Sequence, residues 1–196
     1  MEIRRVSTDD ELPVPLDDLK LDLRVDDDDE DETLERAERT AASLIEKRSG
    51  VILIPGTFEA LFDACDNPIR VERAPLREVT GVAAMTGRNE WTDLDLDDFR
   101  VLELESAFEL RPFPGYVAPA FYIPDLSFRV RFTAGFREPA SGESDGEALP
   151  MPDLFRGALI AITGGLYANR ELGEFDATMK VGEEMAGLLQ SIRKFW

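Results

Sequence analysis

Apolar residues recur along this chain with two different periods, and the change of period divides it. From Pro15 to Arg24, Leu16, Leu19 and Leu23 share one face at helical spacing. Pro15 suits a first helical turn, and Asp17 and Asp18 sit where the helix dipole favours acids. A longer helix is predicted from about Glu30 to Arg48, carrying Leu34, Ala37, Ala41, Leu44, Ile45 and Arg48 at helical spacing, with Ser49-Gly50 as its stop. Val51-Ile52-Leu53-Ile54-Pro55 then runs on in extended form. Residues 1–12 are polar and charged, which predicts a loose arm.

From Thr57 to Phe136 the helical period disappears and prolines recur. Phe99 to Leu104 and Phe108 to Pro112 read as short strands. The clearest strand is Ser127 to Thr133, where Phe128, Val130 and Phe132 alternate with Arg129, Arg131 and Thr133. Period two marks a strand with one face buried. Several such short strands suggest a small antiparallel sandwich or barrel.

Residues 137–149 read as a loop of Gly, Ser and acids. A third helix is predicted from Asp153 to about Arg170, its apolar face formed by Leu154, Ala158, Leu159, Ile162 and Leu166, with Gly164-Gly165 as a notch for close helix approach. A last amphipathic helix is predicted from about Met179 to Phe195. The order is two helices, a β module, then two helices. The expected fold is therefore α+β: N- and C-terminal helices (residues 1–56 and 137–196) forming a helical bundle, with an inserted antiparallel β sandwich or barrel at 57–136.

Charge narrows the candidate partners. Among 196 residues there are 41 acids and 22 bases, for a net charge of −19. Such a surface repels phosphate backbones and anionic membranes, so a docking partner is expected to be basic or the contact apolar. Acidity of this degree also suits a high-salt setting. The chain has no His, which removes the commonest general base and transition-metal ligand. The single Cys65 can form neither an internal disulfide nor a thiolate zinc site, which suits a reducing, intracellular setting. MEIRRVSTDDELPVPL has no apolar signal core, and the longest apolar run, Gly157 to Ala168, covers about twelve residues against roughly 20 needed to span a bilayer. A soluble protein is expected, with no membrane partner.

Several features invite chemistry and each has a plainer reading. Asp26 to Glu32 resembles a calcium loop, but Asp31 stands where that loop needs Gly and Ala37 where it needs a bidentate Glu. A solvated loop whose last acids cap the next helix is preferred. Carboxylate pairs Asp93/Asp95, Asp97/Asp98 and Glu103/Glu105 could serve a hydrolase, but pairs arise by chance among so many acids. No Gly-rich phosphate loop occurs. Neither a catalytic residue, a cofactor nor a metal is expected. Arg129 and Arg131 lie on the polar face of the best strand, open to solvent or to an acidic neighbouring subunit. The C-terminal stretch with Met185, Leu188, Leu189, Ile192, Phe195 and Trp196 is either core or a partner anchor.

LPVPLDDLKLDLRVDDDDEDETLERAERTAASLIEKRSG resembles the opening of head–tail connector (adaptor) proteins of long-tailed phages and gene transfer agents. FRVRFTAGF is similar to their last strand, and LPMPDLFRGALIAITGGLYANRE to the helix after it, with a Tyr-x-Asn-Arg-Glu exit at Tyr167 to Glu171. The middle, about 57–126, matches only in texture. Pro15 departs from the family's capping Ser or Thr, and Gly164-Gly165 departs inside the third helix.

The resemblance implies a non-enzymatic virion structural protein of the particle neck, made in the bacterial cytoplasm. It would form a homo-oligomeric ring, commonly a dodecamer, between the portal protein and the stopper or tail proteins. DNA would pass through its channel without specific binding. On that reading Met185, Leu188, Leu189, Ile192, Phe195 and Trp196 would dock on the portal, and Asp28, Asp29, Arg129 and Arg131 would meet neighbouring subunits. Two alternatives stay open. One is a monomeric ligand- or protein-binding module whose β insert presents Phe113, Tyr116, Phe121 and Tyr122. The other is a carboxylate-dependent hydrolase.

Overall fold

A computed structural model describes residues 1–8, 12–63, 68–88, 90–104, 107–117, 126–136 and 149–170, with Lys180 and Gly187. The fold is α+β with antiparallel sheets, and the chain divides into two compact units. One comprises Met1–Asp9 and Pro55–Gly135, the other Asp10–Ile54 and Phe136–Trp196.

The second unit contains α1 (Leu16–Leu23), α2 (Asp31–Ser49) and α3 (Asp153–Ala168). Helix α1 stops at Arg24, which turns left-handed at φ 57°. Helix α2 stops at Gly50, whose φ of 81° favours glycine and whose N–H donates to the Glu46 carbonyl at 2.9 Å. The core joins Leu19 of α1, Leu34, Ala41, Ala42 and Ile45 of α2, and Phe155, Ala158, Leu159, Ile162 and Leu166 of α3. Each such large side chain contributes about 1.5–3 kcal/mol relative to exposure. At Gly164 an added Cβ would come 2.8 Å from Cδ2 of Leu23, so the glycine lets α1 press against α3.

Two positions differ from the predicted stripes. Leu154 is exposed and Phe155 is buried in its stead. At about 100° per residue the stripe through 155, 158, 159, 162 and 166 leaves Leu154 about a quarter turn away. Arg48 is exposed at the end of α2. Of the predicted last helix, only Lys180 and Gly187 are described; Met185, Leu188, Leu189, Ile192, Phe195 and Trp196 lie outside the described residues.

The first unit holds β1 (Glu2–Thr8), β2 (Gly56–Phe62), β3 (Ile69–Val71), β4 (Leu76–Gly87), β5 (Glu90–Leu94), β6 (Phe99–Glu103), β7 (Phe108–Pro112) and β8 (Phe128–Ala134). Five strands form one antiparallel sheet in the order β1-β2-β8-β4-β5, and three form another in the order β3-β7-β6. Strand β8, with the strongest alternation, is central in the larger sheet, and Phe128, Val130 and Phe132 are wholly buried. The inner faces meet through aromatic contacts. Phe108 meets Phe132 edge-on at 5.0 Å between centroids, and Phe99 meets Phe128 at 6.3 Å.

Residues 2–8, expected as part of a loose arm, are instead an edge strand of this sheet. Ile3, Val6 and Thr8 are good strand formers, and the ladder with β2 supplies partners for the backbone. An edge strand with little buried surface carries a polar sequence, which is why its pattern resembles a free arm.

Candidate functional site

The register of the larger sheet collects a charged row on one face. Arg4 of β1 lies opposite Glu59 of β2, and Glu59 lies opposite Arg131 of β8. Arg129 stands two residues along the same face. Glu59 is buried and accepts from both flanking guanidinium groups. Its Oε2 accepts from Arg4 Nε at 2.9 Å and Nη2 at 2.6 Å, and its Oε1 from Arg131 Nε at 3.1 Å and Nη2 at 2.6 Å. Arg129 Nη1 stands 3.8 Å from Oε1, and its guanidinium lies over the Trp91 ring at 4.6 Å.

Burial alone would raise the Glu59 carboxyl. The hydrogen bonds from Arg131 and Arg4, with the charges of Arg4 and Arg129, outweigh it and hold the group below the usual carboxylate range. Glu59 is thus an ionised post to which three strands are fastened.

Beside this row the sheet is hollow. Gly81 and Ala83 of β4 carry little or no side chain, and a Cβ at Gly81 would meet nothing within 4 Å. The result is an open trough of about 380 Å³, bounded by Arg129 and Arg131 on one side and Asp93 and Asp95 on the other. Opposite charges line its two banks.

The sequence-derived candidates fall in different places. Asp28 and Asp29 are exposed in a short 3-10 turn before α2. The acidic run acts locally: Asp27 Oδ1 accepts from the Asp29 N–H at 3.0 Å, and Lys20 Nζ donates to Asp28 at 2.6 Å and to Asp31 at 2.7 Å. These two hydrogen bonds push the Lys20 ammonium well above its ordinary range, and the bond from Lys20 holds Asp28 below its own. Among the described residues no group of three acids or Cys converges to hold a metal ion.

Arg129 and Arg131 do come together, around Glu59, and retain side-chain exposures of 17% and 46%. Asp93 and Asp95 share the trough. Asp95 caps the turn before β6 by accepting from the Asp97 N–H at 3.0 Å, and Glu105 lies outside the described residues. Of the aromatic set, Phe113 is half exposed, Tyr116 packs on Phe99 at 4.9 Å, and Phe121 and Tyr122 lie outside the described residues.

Glu59 and Glu38, both buried, were not singled out by the sequence pattern. Glu59 sits in the alternation Thr57, Glu59, Leu61, whose counterpart across the ladder is Thr133, Arg131, Arg129. Matching opposite charges on two strands was the available signal. Glu38 interrupts the apolar stripe of α2 between Leu34 and Ala41. It is fully buried, and its Oε1 accepts from the Val14 N–H at 2.8 Å, tying the entry of α1 to α2. A lone acid inside an apolar stripe was the signal there.

No protein-family profile and no curated protein matches the chain. Solved structures do. A chain from "Neck of empty GTA particle computed with C6 symmetry" aligns with a TM-score of 0.69 and 20% identity over 86% of this chain and 84% of that one. One from "Virion of native gene transfer agent (GTA) particle" gives 0.67 and 19% over 86% and 84%. One from "Neck of native GTA particle computed with C12 symmetry" gives 0.63 and 20% over 92% and 94%. At this identity the likeness is one of fold, and it spans nearly the whole of each chain.

Proposed function

We propose that this chain is a structural adaptor subunit of the neck of a phage-like or gene-transfer-agent particle. It would form a ring between the capsid portal and the stopper or tail, around a channel for DNA. The observation that carries this reading is the fold shared with chains of two particle-neck structures over 86% and 92% of this chain. The ordered segments that resemble the connector family, from LPVPLDDLKL to YANRE, support it independently. On this reading the helices of both chain ends form one connector bundle and residues 57–136 are its insertion, with β1 joining the sheet of that insertion from ahead of the helices. The role is architectural rather than enzymatic.

The physical chemistry agrees. A net charge of −19 keeps passing DNA from adhering, so transit without specific binding is the expected behaviour. Met185, Leu188, Leu189, Ile192, Phe195 and Trp196 are the proposed portal anchor. Asp28, Asp29, Arg131 and Arg129 are proposed inter-subunit contacts, with Arg129 offering the least surface. A closed ring uses two different patches per subunit, so acidic and basic members of this set would meet across each boundary.

The test is electron microscopy and mass measurement of the chain mixed with its cognate portal, beside each alone. A symmetric ring added at the narrow end of the portal is the expected result. A chain that stays monomeric and never associates refutes the adaptor reading. Truncation of residues 183–196 then tests the anchor separately, with loss of portal binding expected.

A further inference from the structure

We infer that copies of this chain meet edge to edge, β5 of one subunit against β1 of the next, continuing the five-stranded sheet across the boundary. The inference rests on the ring proposed above and adds which surfaces touch. Within the described residues, β1 and β5 each pair on one side only. An open edge presents a row of unpaired N–H and C=O groups, which is a template for another strand.

Charge says which strand. In a chain of net charge −19, β1 is a basic edge, with Arg4 and Arg5 against Glu2. Strand β5 carries Glu90 and Asp93 and no base, and both acids are exposed. Two β1 edges would set arginines against arginines, and two β5 edges acids against acids. Like charges across a ladder destabilise it, and unlike charges stabilise it. The pattern thus disfavours both twofold pairings and favours the unlike one. That is the requirement of a ring, where one patch meets a different patch on the next copy. The smaller sheet offers no such contrast: β3 has three residues, and the edge of β6 mixes Arg100 with Glu103.

Symmetry fixes the direction. In a ring of twelve, neighbours differ by a rotation of about 30°, so equivalent strands stay nearly parallel. Because the sheet is antiparallel throughout and has five strands, β1 and β5 run the same way within a subunit. The joint between β5 and the next β1 would therefore be parallel, giving a mixed sheet of a common kind. The basic edge is also rigid, because Arg4 fastens β1 to Glu59 of β2.

The experiment assembles rings on the cognate portal from three proteins: the unmodified chain, Glu90→Lys/Asp93→Lys, and Val6→Cys/Thr92→Cys in a Cys65→Ser background treated with a short bismaleimide. Val6 and Thr92 are exposed on the two edges. Within one flat sheet they lie four strand spacings apart, about 19 Å, beyond a short cross-linker, and the monomer run alongside checks this. The expected results are a ladder of cross-linked oligomers and a roughly tenfold or greater loss of rings on charge reversal. Circular dichroism checks that the charge variant stays folded. Rings that form normally with reversed charge and give no ladder overturn the edge pairing and leave the adaptor reading standing. Absence of rings from the unmodified chain overturns both.

Discussion

Glu38 makes the stability of the helical unit depend on pH in an unusual direction. Its side chain is wholly inaccessible, Oε1 holds the Val14 N–H at 2.8 Å, and Oε2 is buried with no hydrogen-bond partner. Burial pushes its carboxyl up to about 7 from an ordinary 4.5; the Val14 bond and the charges of Arg39 and Arg156 pull it back, and Glu35 adds to the rise.

Between those two values the folded chain keeps a proton that the unfolded chain has lost. Stability therefore falls as pH rises through this window, and the lost part is fully restored below 4.5. A difference of 7 against 4.5 corresponds to about 3 kcal/mol at most. Glu38→Gln keeps an acceptor for Val14 and removes the ionisation. Since the new amide also brings buried donors, we expect a net gain of about 1–2 kcal/mol at pH 8. At pH 4 the two proteins should be nearly equal.

The assay is urea unfolding followed by far-ultraviolet circular dichroism at several pH values, comparing the two proteins so that all other titrations cancel. A difference that stays flat from pH 4 to pH 8, or a variant less stable at pH 8, would refute the reasoning.

Three variants probe the sheet unit. Glu59→Gln weakens the post that holds Arg4 and Arg131; with those arginines 60% and 46% exposed and able to rehydrate, the loss should be about 2–3 kcal/mol by urea unfolding, below the range for fully buried pairs. Because the Glu59 carboxyl is held low, its stabilisation is present above pH 4.5 and lost as pH falls below that, opposite in sign to Glu38. Gly56→Ala would drive a Cβ into the Ser7 carbonyl oxygen, so hydrogen exchange should show β1 amides losing protection while β8 keeps it. Phe132→Ala removes a wholly buried ring stacked on Phe58 and met by Phe108, and should cost about 3–5 kcal/mol in thermal or urea unfolding.

What could be read from the sequence depended on how much each element buries. The stripes of Leu16, Leu19 and Leu23, and of Leu34, Ala41 and Ile45, locate α1 and α2 within a residue or two, because burial forces a period. The Phe128, Val130, Phe132 alternation did the same for the central strand β8. Strand β1 was illegible because an edge buries little, and its register is set by β2, 48 to 59 residues away. The charged face was half legible. Arg129 and Arg131 stood out by alternation, but Glu59 became their partner only through pairing across 72 residues. The trough depends on what Gly81 and Ala83 lack, opposite residues from two other strands. The exchange at the start of the α3 stripe, which buries Phe155 and exposes Leu154, needed the neighbouring helices to decide it.

The enrolment of β1 in the sheet also constrains synthesis. The polypeptide passes from one unit to the other after residue 9, after 54 and after 135, so neither unit is a continuous piece of chain. Strand β1 precedes the other strands in the chain, yet β2 follows only after two helices, and β8, which flanks β2 on its other side, ends at Ala134. Helices α1 and α2 must likewise wait for α3. The sheet unit should therefore complete only once β8 has emerged, and the helical unit only later, once α3 has followed. A fragment covering 57–136 alone would lack β1 and expose the long flank of β2, making it an aggregation-prone reagent rather than a separable domain.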